Sequence, residues 1–221
     1  MDKKRKRRRS QLTILLPKYV QTSESTLRLN LKQKVLLSLL FAGLTGLGAQ
    51  VRIPLPFTPV PITLQVFFVL LSGIFLGSWF GSFSQGLYVT LGAAGIPWFA
   101  GLRGGYLVLT GITGGYLVGF IFAAFLIGWF TERFSGVKRF STRFLVMLLG
   151  IVIIYVCGAL WFSFIFRTSF LTTLMLTVLP FIPGDIIKAA SAAALGNVSI
   201  LKKFLLVKPN KNKFFKVKGT F

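Results

Sequence analysis

Residues 53–102 read IPLPFTPVPITLQVFFVLLSGIFLGSWFGSFSQGLYVTLGAAGIPWFAGL, and none of these 50 residues carries a charge. Because about 20 predominantly apolar residues cross a bilayer as a helix, this stretch is long enough for two membrane helices. The Gly77-Ser78-Trp79 segment supplies a turn between them. We therefore expect one helix over about residues 62–76 and a second over about 80–94.

The segments on either side of this helix pair are not helical. Residues 52–61 contain four prolines in eight residues, and each proline lacks a backbone N–H and restricts the residue before it. We expect an ordered extended loop there. Residues 95–105 are rich in glycine and interrupted by Pro97, which predicts an apolar loop.

Apolar segments in the rest of the chain predict four more membrane helices. They cover residues 35–51, 110–129 and 144–166, and a sixth follows Pro180 or Pro183 and ends near Leu201. The composition agrees, since 54% of the 221 residues are hydrophobic and only four are acidic. The predicted fold is an all-α polytopic membrane protein: a six-helix domain over 34–201, with basic tails at 1–33 and 202–221.

The net charge of +22 arises mainly from three clusters of lysine and arginine. Eleven lie within residues 3–34, four within 133–143 and seven within 202–218. Clustered basic residues can indicate nucleic-acid binding, but six crossings place all three clusters on one side and Arg52, Arg103 and Arg167 on the other. The positive-inside rule then predicts a multi-pass protein of the bacterial cytoplasmic membrane with both termini cytoplasmic, and no nucleic-acid partner.

Enzymatic motifs are missing from the sequence. There is no histidine, Cys157 is the only cysteine, and no GxxxxGK[ST], GxSxG or HExxH pattern occurs. We expect no metal, no cofactor and no enzymatic activity, so any ATP hydrolysis must come from another subunit.

Asp185 and Lys188 are the ionisable residues that fall within a predicted membrane helix. Each costs roughly 2.5 to 3.5 kcal/mol at mid-bilayer, which makes them candidates for a binding site. Their spacing of three places them on one helix face, so an internal ion pair that holds the sixth helix against its neighbours remains an alternative.

Other candidates have both a binding and a packing interpretation. Gln85 and Tyr88 share a face of the third helix and could contact a ligand or join helices. Phe57 and Trp98 lie in the two loops, where aromatic residues serve as interfacial anchors or cover a binding site. The small residues Ser38, Ala42 and Gly46 recur every four residues of the first helix, which favours packing within the bundle or docking of another membrane subunit.

Four runs in chain order resemble the BioY family, the biotin-specific substrate-binding subunits of energy-coupling factor transporters. They are RIPLPFTPVPITLQ at 52–65, LGAAGIP at 91–97, GITGGY at 111–116 and PFIPGDIIKAA at 180–190. The resemblance, which spans about residues 35–200, implies a six-helix subunit that captures biotin near its outer face. It further implies docking on a transmembrane coupling subunit that works with two ATPase subunits.

The resemblance also implies roles for particular residues. Asp185, Lys188 and Gln85 would contact biotin, and a small-residue motif around Ala42 would serve docking, although this chain has Ser38 and Gly46 where many relatives have alanine. Biotin presents ureido N–H donors, a carbonyl, an apolar sulfur ring and a carboxylate, which suit such a site. The alternatives are a carrier for another vitamin such as lipoate, and a membrane-anchored scaffold with basic tails.

Overall fold

The computed structural model describes residues 30–196 of the chain. The predicted tails therefore lie almost wholly outside the described residues, as does the predicted end of the sixth helix near Leu201. Within the described part, helices account for most of the chain, which confirms the predicted helical membrane fold.

Seven α-helices and one two-stranded sheet make up residues 30–196. In chain order they are α1 (Leu31–Gln50), β1 (Arg52–Leu55), β2 (Thr58–Thr63), α2 (Gln65–Ala93), α3 (Leu107–Thr110), α4 (Gly114–Arg133), α5 (Phe140–Phe166), α6 (Phe170–Thr177) and α7 (Ile182–Leu195). Short 3₁₀ helices at Ser135–Lys138 and Leu179–Phe181 precede α5 and α7.

Helix α2 is a hairpin of two antiparallel segments, because Gly77 breaks it with φ 81° and ψ −175°. Across the hairpin, the Gln85 amide donates to the Ser72 hydroxyl over 3.0 Å. The new helix start at Ser78 is capped by Glu132 of α4, whose carboxylate accepts from the Ser78 N–H at 3.0 Å and from its hydroxyl at 2.7 Å. The turn predicted at residues 77–79 is confirmed.

Four helical stretches within residues 30–196 have the length and apolar composition to cross a membrane: Gln65–Ala93, Gly114–Arg133, Phe140–Phe166 and Phe170–Leu195. The first of these folds back at Gly77 and supplies two segments. Helix α1 has 20 residues but carries Lys32 and Lys34 near its start. Together with α1, these stretches give the six helices that the sequence predicts.

Two elements differ from the sequence prediction. The proline-rich segment forms a β-hairpin in which Arg52 pairs with Thr63 and Ile53 with Ile62, whereas an extended loop was expected. Both strands of a two-stranded sheet are edge strands, so prolines are tolerated where the backbone N–H points outward. The second difference is α6, an additional helix that precedes the prolines of the last predicted helix. Its N-cap is Ser169, whose side chain accepts a hydrogen bond from the Thr172 N–H.

The helices pack closely where small residues meet. At Gly73 an added Cβ would lie 2.8 Å from the Ala124 carbonyl oxygen, and at Gly128 it would overlap the backbone of Gly77 and Ser78. The segments of α2 and helix α4 therefore approach backbone to backbone, as small residues allow in membrane bundles. Large apolar side chains such as Leu36, Val152 and Phe164 cover the outside of the bundle, where lipid is the expected solvent.

Gly77→Ala should destabilise the α2 hairpin. The backbone conformation of Gly77 is one that side chains rarely adopt, at a cost of about 1–3 kcal/mol, and the new methyl group would overlap the Glu132 carboxylate. Thermal unfolding of the purified protein in detergent measures the effect. Gly86→Ala is the matched control, since a methyl group there meets no atom within 4 Å. Equal unfolding temperatures for the two variants would contradict the proposed constraint.

Candidate functional site

A small cavity of about 60 Å³ lies at the end of the bundle that carries the β-hairpin. Strand β2 and the start of α2 form one wall, and α4 and α5 form another. Phe99 and Ala100 of the 95–105 loop cover it, and the start of α7 completes it. This volume is well below the range of about 300–1,000 Å³ that is typical of small-molecule sites.

Asp185 and Lys188 bring charge into this cavity. The Lys188 ammonium lies 2.6 Å from one carboxylate oxygen of Asp185, and the Tyr155 hydroxyl donates to the other oxygen at 2.6 Å. Asp185 is 3% exposed and stands in the first turn of α7, where the free backbone N–H groups favour a negative charge. The structure thus forms the predicted ion pair and places it in the cavity wall.

Gln65 adds an uncharged polar group to the wall beside β2. Its amide donates to the Tyr88 hydroxyl over 2.8 Å, and its carbonyl oxygen accepts from the Thr63 hydroxyl over 2.9 Å. Tyr88, which is fully buried, therefore stands behind Gln65. Apolar side chains including Val66, Phe120 and Ile154 make up much of the remaining lining.

The Gln50 side chain of α1 helps to fix the loop over the cavity. The Gln50 amide donates to the carbonyl oxygens of Trp98 and Phe99, both at 3.1 Å, and its own carbonyl accepts from the Leu102 N–H at 3.0 Å. Phe99 is 1% exposed and stands edge-on to Tyr88 with ring centroids 5.3 Å apart. Gly92 leaves room for this ring, since a Cβ there would overlap it.

Helix α6 is hydrogen-bonded to the cavity walls through the carbonyl groups at its C-terminal end. The Leu176 carbonyl accepts from the Thr58 hydroxyl at 2.7 Å, and the Thr177 carbonyl accepts from the Tyr116 hydroxyl at 2.7 Å. A helix leaves its last carbonyl groups without partners in the helix itself. These two bonds satisfy them and join α6 to both β2 and α4.

The structure places the other predicted ligand contacts outside the cavity lining. Gln85 is buried among helices, where its amide bonds Ser72 and its carbonyl accepts from Thr45 at 3.3 Å. Tyr88 stands behind Gln65, Trp98 packs against α1, and Phe57 at the hairpin turn is 59% exposed. Direct ligand contact by these four residues stays a prediction.

The small-residue stripe of α1 faces inward. Ser38 and Ala42 are fully buried, the Ser38 hydroxyl donates to the Phe80 carbonyl at 3.2 Å, and Gly46 lies under Trp98. These contacts are those of the packing interpretation, and docking through this stripe stays a prediction. Beside the stripe, the outer face of α1 presents a shallow apolar groove around Leu40, Gly43 and Leu47, which Gly46 and Trp98 also line.

Sequence reasoning missed Gln65, Tyr116 and Tyr155 as lining residues. Each is a polar group within an apolar stretch, and Gln65 and Tyr116 even close two of the runs that carry the family resemblance. That position was the available signal. Among residues 30–196, no three side chains of the types His, Cys, Asp and Glu gather into a group that could hold a metal.

The sequence profile of the BioY family matches residues 20–204. The chain belongs to the BioY family. It is 42% identical over 163 residues to the "Probable biotin transporter BioY" of Pyrococcus horikoshii, which covers 74% of this chain and 93% of that relative. It is 40% identical over 156 residues to the "Biotin transporter BioY" of Thermotoga maritima, covering 71% of this chain and 89% of the relative.

A solved structure is similar to this chain in fold and supports the architecture. The crystal structure of the S-component for biotin from an ECF-type ABC transporter aligns with a TM-score of 0.72 at 31% identity. The alignment covers 79% of this chain and 95% of that one. The family profile covers residues 20–204, so residues 1–19 and 205–221 lie outside it.

Proposed function

We propose that this protein binds biotin in the cavity between β2, α4, α5 and α7. We further propose that it delivers biotin across the membrane as the substrate-binding subunit of an energy-coupling factor transporter. The observation that carries the proposal is the Asp185–Lys188 ion pair in the wall of an otherwise largely apolar cavity. The description of the BioY relatives as biotin transporters, and of the similar solved structure as an S-component for biotin, supports it.

The chemistry of the lining suits biotin. An ionised carboxylate has about four acceptor sites, of which Asp185 uses one for Lys188 and one for Tyr155. The remaining sites can accept the ureido N–H groups. Lys188 has three N–H donors, and those not used by Asp185 suit the ureido carbonyl or the carboxylate tail. Val66, Phe99 and Phe120 supply apolar contacts for the sulfur ring.

The scaffold and lipoate alternatives receive less support. A scaffold that acts through its basic tails has no use for a buried ion pair beside a cavity, since such a pair is often no more stabilising than apolar residues. Lipoate has no ureido N–H donors to pair with Asp185. The relatives whose names are given above are described as biotin transporters.

We propose that the cavity opens to the outside of the cytoplasmic membrane. Lys32, Arg133 and Arg139 lie at the end of the bundle that contains the Gly77 turn, whereas Arg52, Arg103 and Arg167 lie at the cavity end. The basic runs before residue 30 and after residue 200 are joined in sequence to helix ends on this same side, the start of α1 and the end of α7. The positive-inside rule then makes residues 1–33 and 202–221 cytoplasmic tails around the membrane domain 34–201.

The proposed partners are a transmembrane coupling subunit and two ATPase subunits. Because Ser38 and Ala42 are buried by contacts within this chain, we propose that the coupling subunit docks on the neighbouring outer face of α1, which Gly46 borders. There Gly43 leaves a flat floor between Leu40 and Leu47, which are 52% and 66% exposed. Close approach at such a small residue is a common basis of helix association in membranes.

Asp185→Asn should weaken biotin binding about ten- to hundredfold, because hydrogen bonds to a charged group contribute about 1.5–3 kcal/mol. Lys188→Met should act in the same direction. The double variant Asp185→Leu with Lys188→Met should fold well yet not bind, since an apolar pair avoids buried charge. Titration with labelled biotin gives affinity, and detergent size-exclusion gives folded yield. Near-normal affinity in the folded double variant would leave the pair a purely structural one.

A bulky residue on the outer face of α1 should separate uptake from binding. Gly43→Trp should reduce biotin uptake by cells while the purified protein still binds biotin, because within residues 30–196 a Cβ at that position meets no atom within 4 Å apart from its own helix. Ala42→Trp is the matched control and should lower folded yield and binding as well, since Ala42 is fully buried. Normal uptake by the Gly43 variant would move docking to another surface.

Cysteine labelling in intact cells tests the orientation. In a Cys157→Ala background, Phe57→Cys at the exposed hairpin turn should react with a membrane-impermeant thiol reagent. Gly136→Cys, in the exposed turn between α4 and α5, should react only after the cells are permeabilised. Thr58 is unsuitable as a probe because it is 7% exposed. The reverse labelling pattern would invert the proposed topology.

A further inference from the structure

Tyr155 occupies a boundary position in the bundle. Besides the cavity, a second and almost wholly apolar groove runs along the outside between α5 and the α6–α7 segment. Among the described residues, Tyr155 and Asp185 are the two that line both spaces. The groove wall includes Val152, Val156 and Ile186, which are 53%, 51% and 45% exposed. The Tyr155–Asp185 pair thus separates the cavity from the lipid-facing surface.

The hydrogen bonds of Asp185 come from two directions. Lys188 donates to one carboxylate oxygen and Tyr155 to the other, both at 2.6 Å. Lys188 lies one turn further along the same helix on a flexible four-carbon stem, so its bond leaves the carboxylate free to turn with α7. Among the described residues, Tyr155 is the only one on another helix that hydrogen-bonds Asp185. It therefore fixes the carboxylate relative to the α5 wall.

The outer groove offers no substitute for this bond. The side chains of the outer groove around Tyr155 and Asp185 are aliphatic, and lipid rather than water is expected beyond them. Without the Tyr155 hydroxyl, one carboxylate oxygen would face an apolar wall. A buried polar oxygen without a hydrogen-bond partner is strongly disfavoured. The carboxylate would therefore rotate to turn this oxygen toward the cavity or toward Lys188.

We infer that Tyr155 is a positioning residue that determines selectivity for ligands with paired N–H donors. Its hydroxyl holds the Asp185 carboxylate so that the acceptor sites not used by Tyr155 and Lys188 face the cavity and receive both ureido N–H groups. This inference rests on the proposed biotin site. A positioning role differs from a purely stabilising role in one measurable respect. Loss of the hydroxyl should affect binding of the ligand's N–H donors and not of its ring or tail.

Tyr155→Phe keeps the ring that separates the two spaces and removes only the hydroxyl. We would measure the affinity of the purified variant for biotin and for a biotin analogue methylated at one ureido nitrogen, which has lost one donor. Biotin affinity should fall about tenfold or more, the range expected for a hydrogen bond to a charged group. Affinity for the analogue should fall by less than about threefold, so the wild-type preference for biotin should shrink.

Tyr116→Phe is the matched control. Its hydroxyl also lies at the cavity, but it donates to the Thr177 carbonyl and not to Asp185. Loss of that bond loosens a cavity wall and should lower the affinity for both ligands by the same factor. The ratio of the two affinities then stays unchanged. Should the Phe variant of Tyr155 not accumulate, Tyr155→Met, which an apolar helix accommodates, gives the same readout.

The outcomes separate this inference from the proposed function. If the wild-type protein binds no biotin, the proposed function fails and the inference with it. If the wild-type protein binds biotin and Tyr155→Phe leaves the affinity ratio unchanged, whether or not both affinities fall, only the positioning role is overturned. A ratio that shrinks in Tyr155→Phe and not in Tyr116→Phe supports it.

Discussion

A carboxylate buried inside a membrane protein has to be neutralised or hydrogen-bonded, and much of the architecture around α7 follows from this requirement at Asp185. Leaving such a charge uncompensated costs several kcal/mol. The compensation comes from Lys188 on the same helix, from Tyr155 on α5 and from the position of Asp185 at a helix start. Because Tyr155 must reach the carboxylate, the start of α7 is held against the middle of α5, and the cavity lies between them.

A second requirement shapes the non-helical end of the bundle. Backbone N–H and carbonyl groups at membrane depth have to find partners within the protein. The proline-rich segment satisfies this requirement by pairing as a β-hairpin. Side chains donate hydrogen bonds to backbone carbonyl groups that have no partner in the secondary structure. Gln50 serves the loop carbonyls of Trp98 and Phe99, whereas Thr58 and Tyr116 serve the end of α6. The same bonds that satisfy the backbone also fix the cavity walls.

The sequence predicts the helical framework well because apolar length and glycine positions are local properties. The six helices and the turn at Gly77 are of this kind, and so is the spacing that pairs Asp185 with Lys188. The β-hairpin and α6 depend on partners distant in the chain, such as the bond from Thr58 to the Leu176 carbonyl. Gln85 shows that the same holds within a helix. The sequence predicts which helix face carries Gln85, but its contacts with Ser72 and Thr45 depend on which helices pack against that face.

The ion pair is best understood through what it offers a ligand and not through stability. Apolar residues of similar size would hold α7 in place as well or better, and the bundle already packs closely at Gly73 and Gly128. An acidic and a basic group side by side add no net charge to the cavity, so they do not favour a simple anion or cation. They favour a neutral group that donates and accepts within a few ångströms, as the ureido group of biotin does. We therefore propose that the charges serve recognition, while the remaining apolar walls supply most of the contact area.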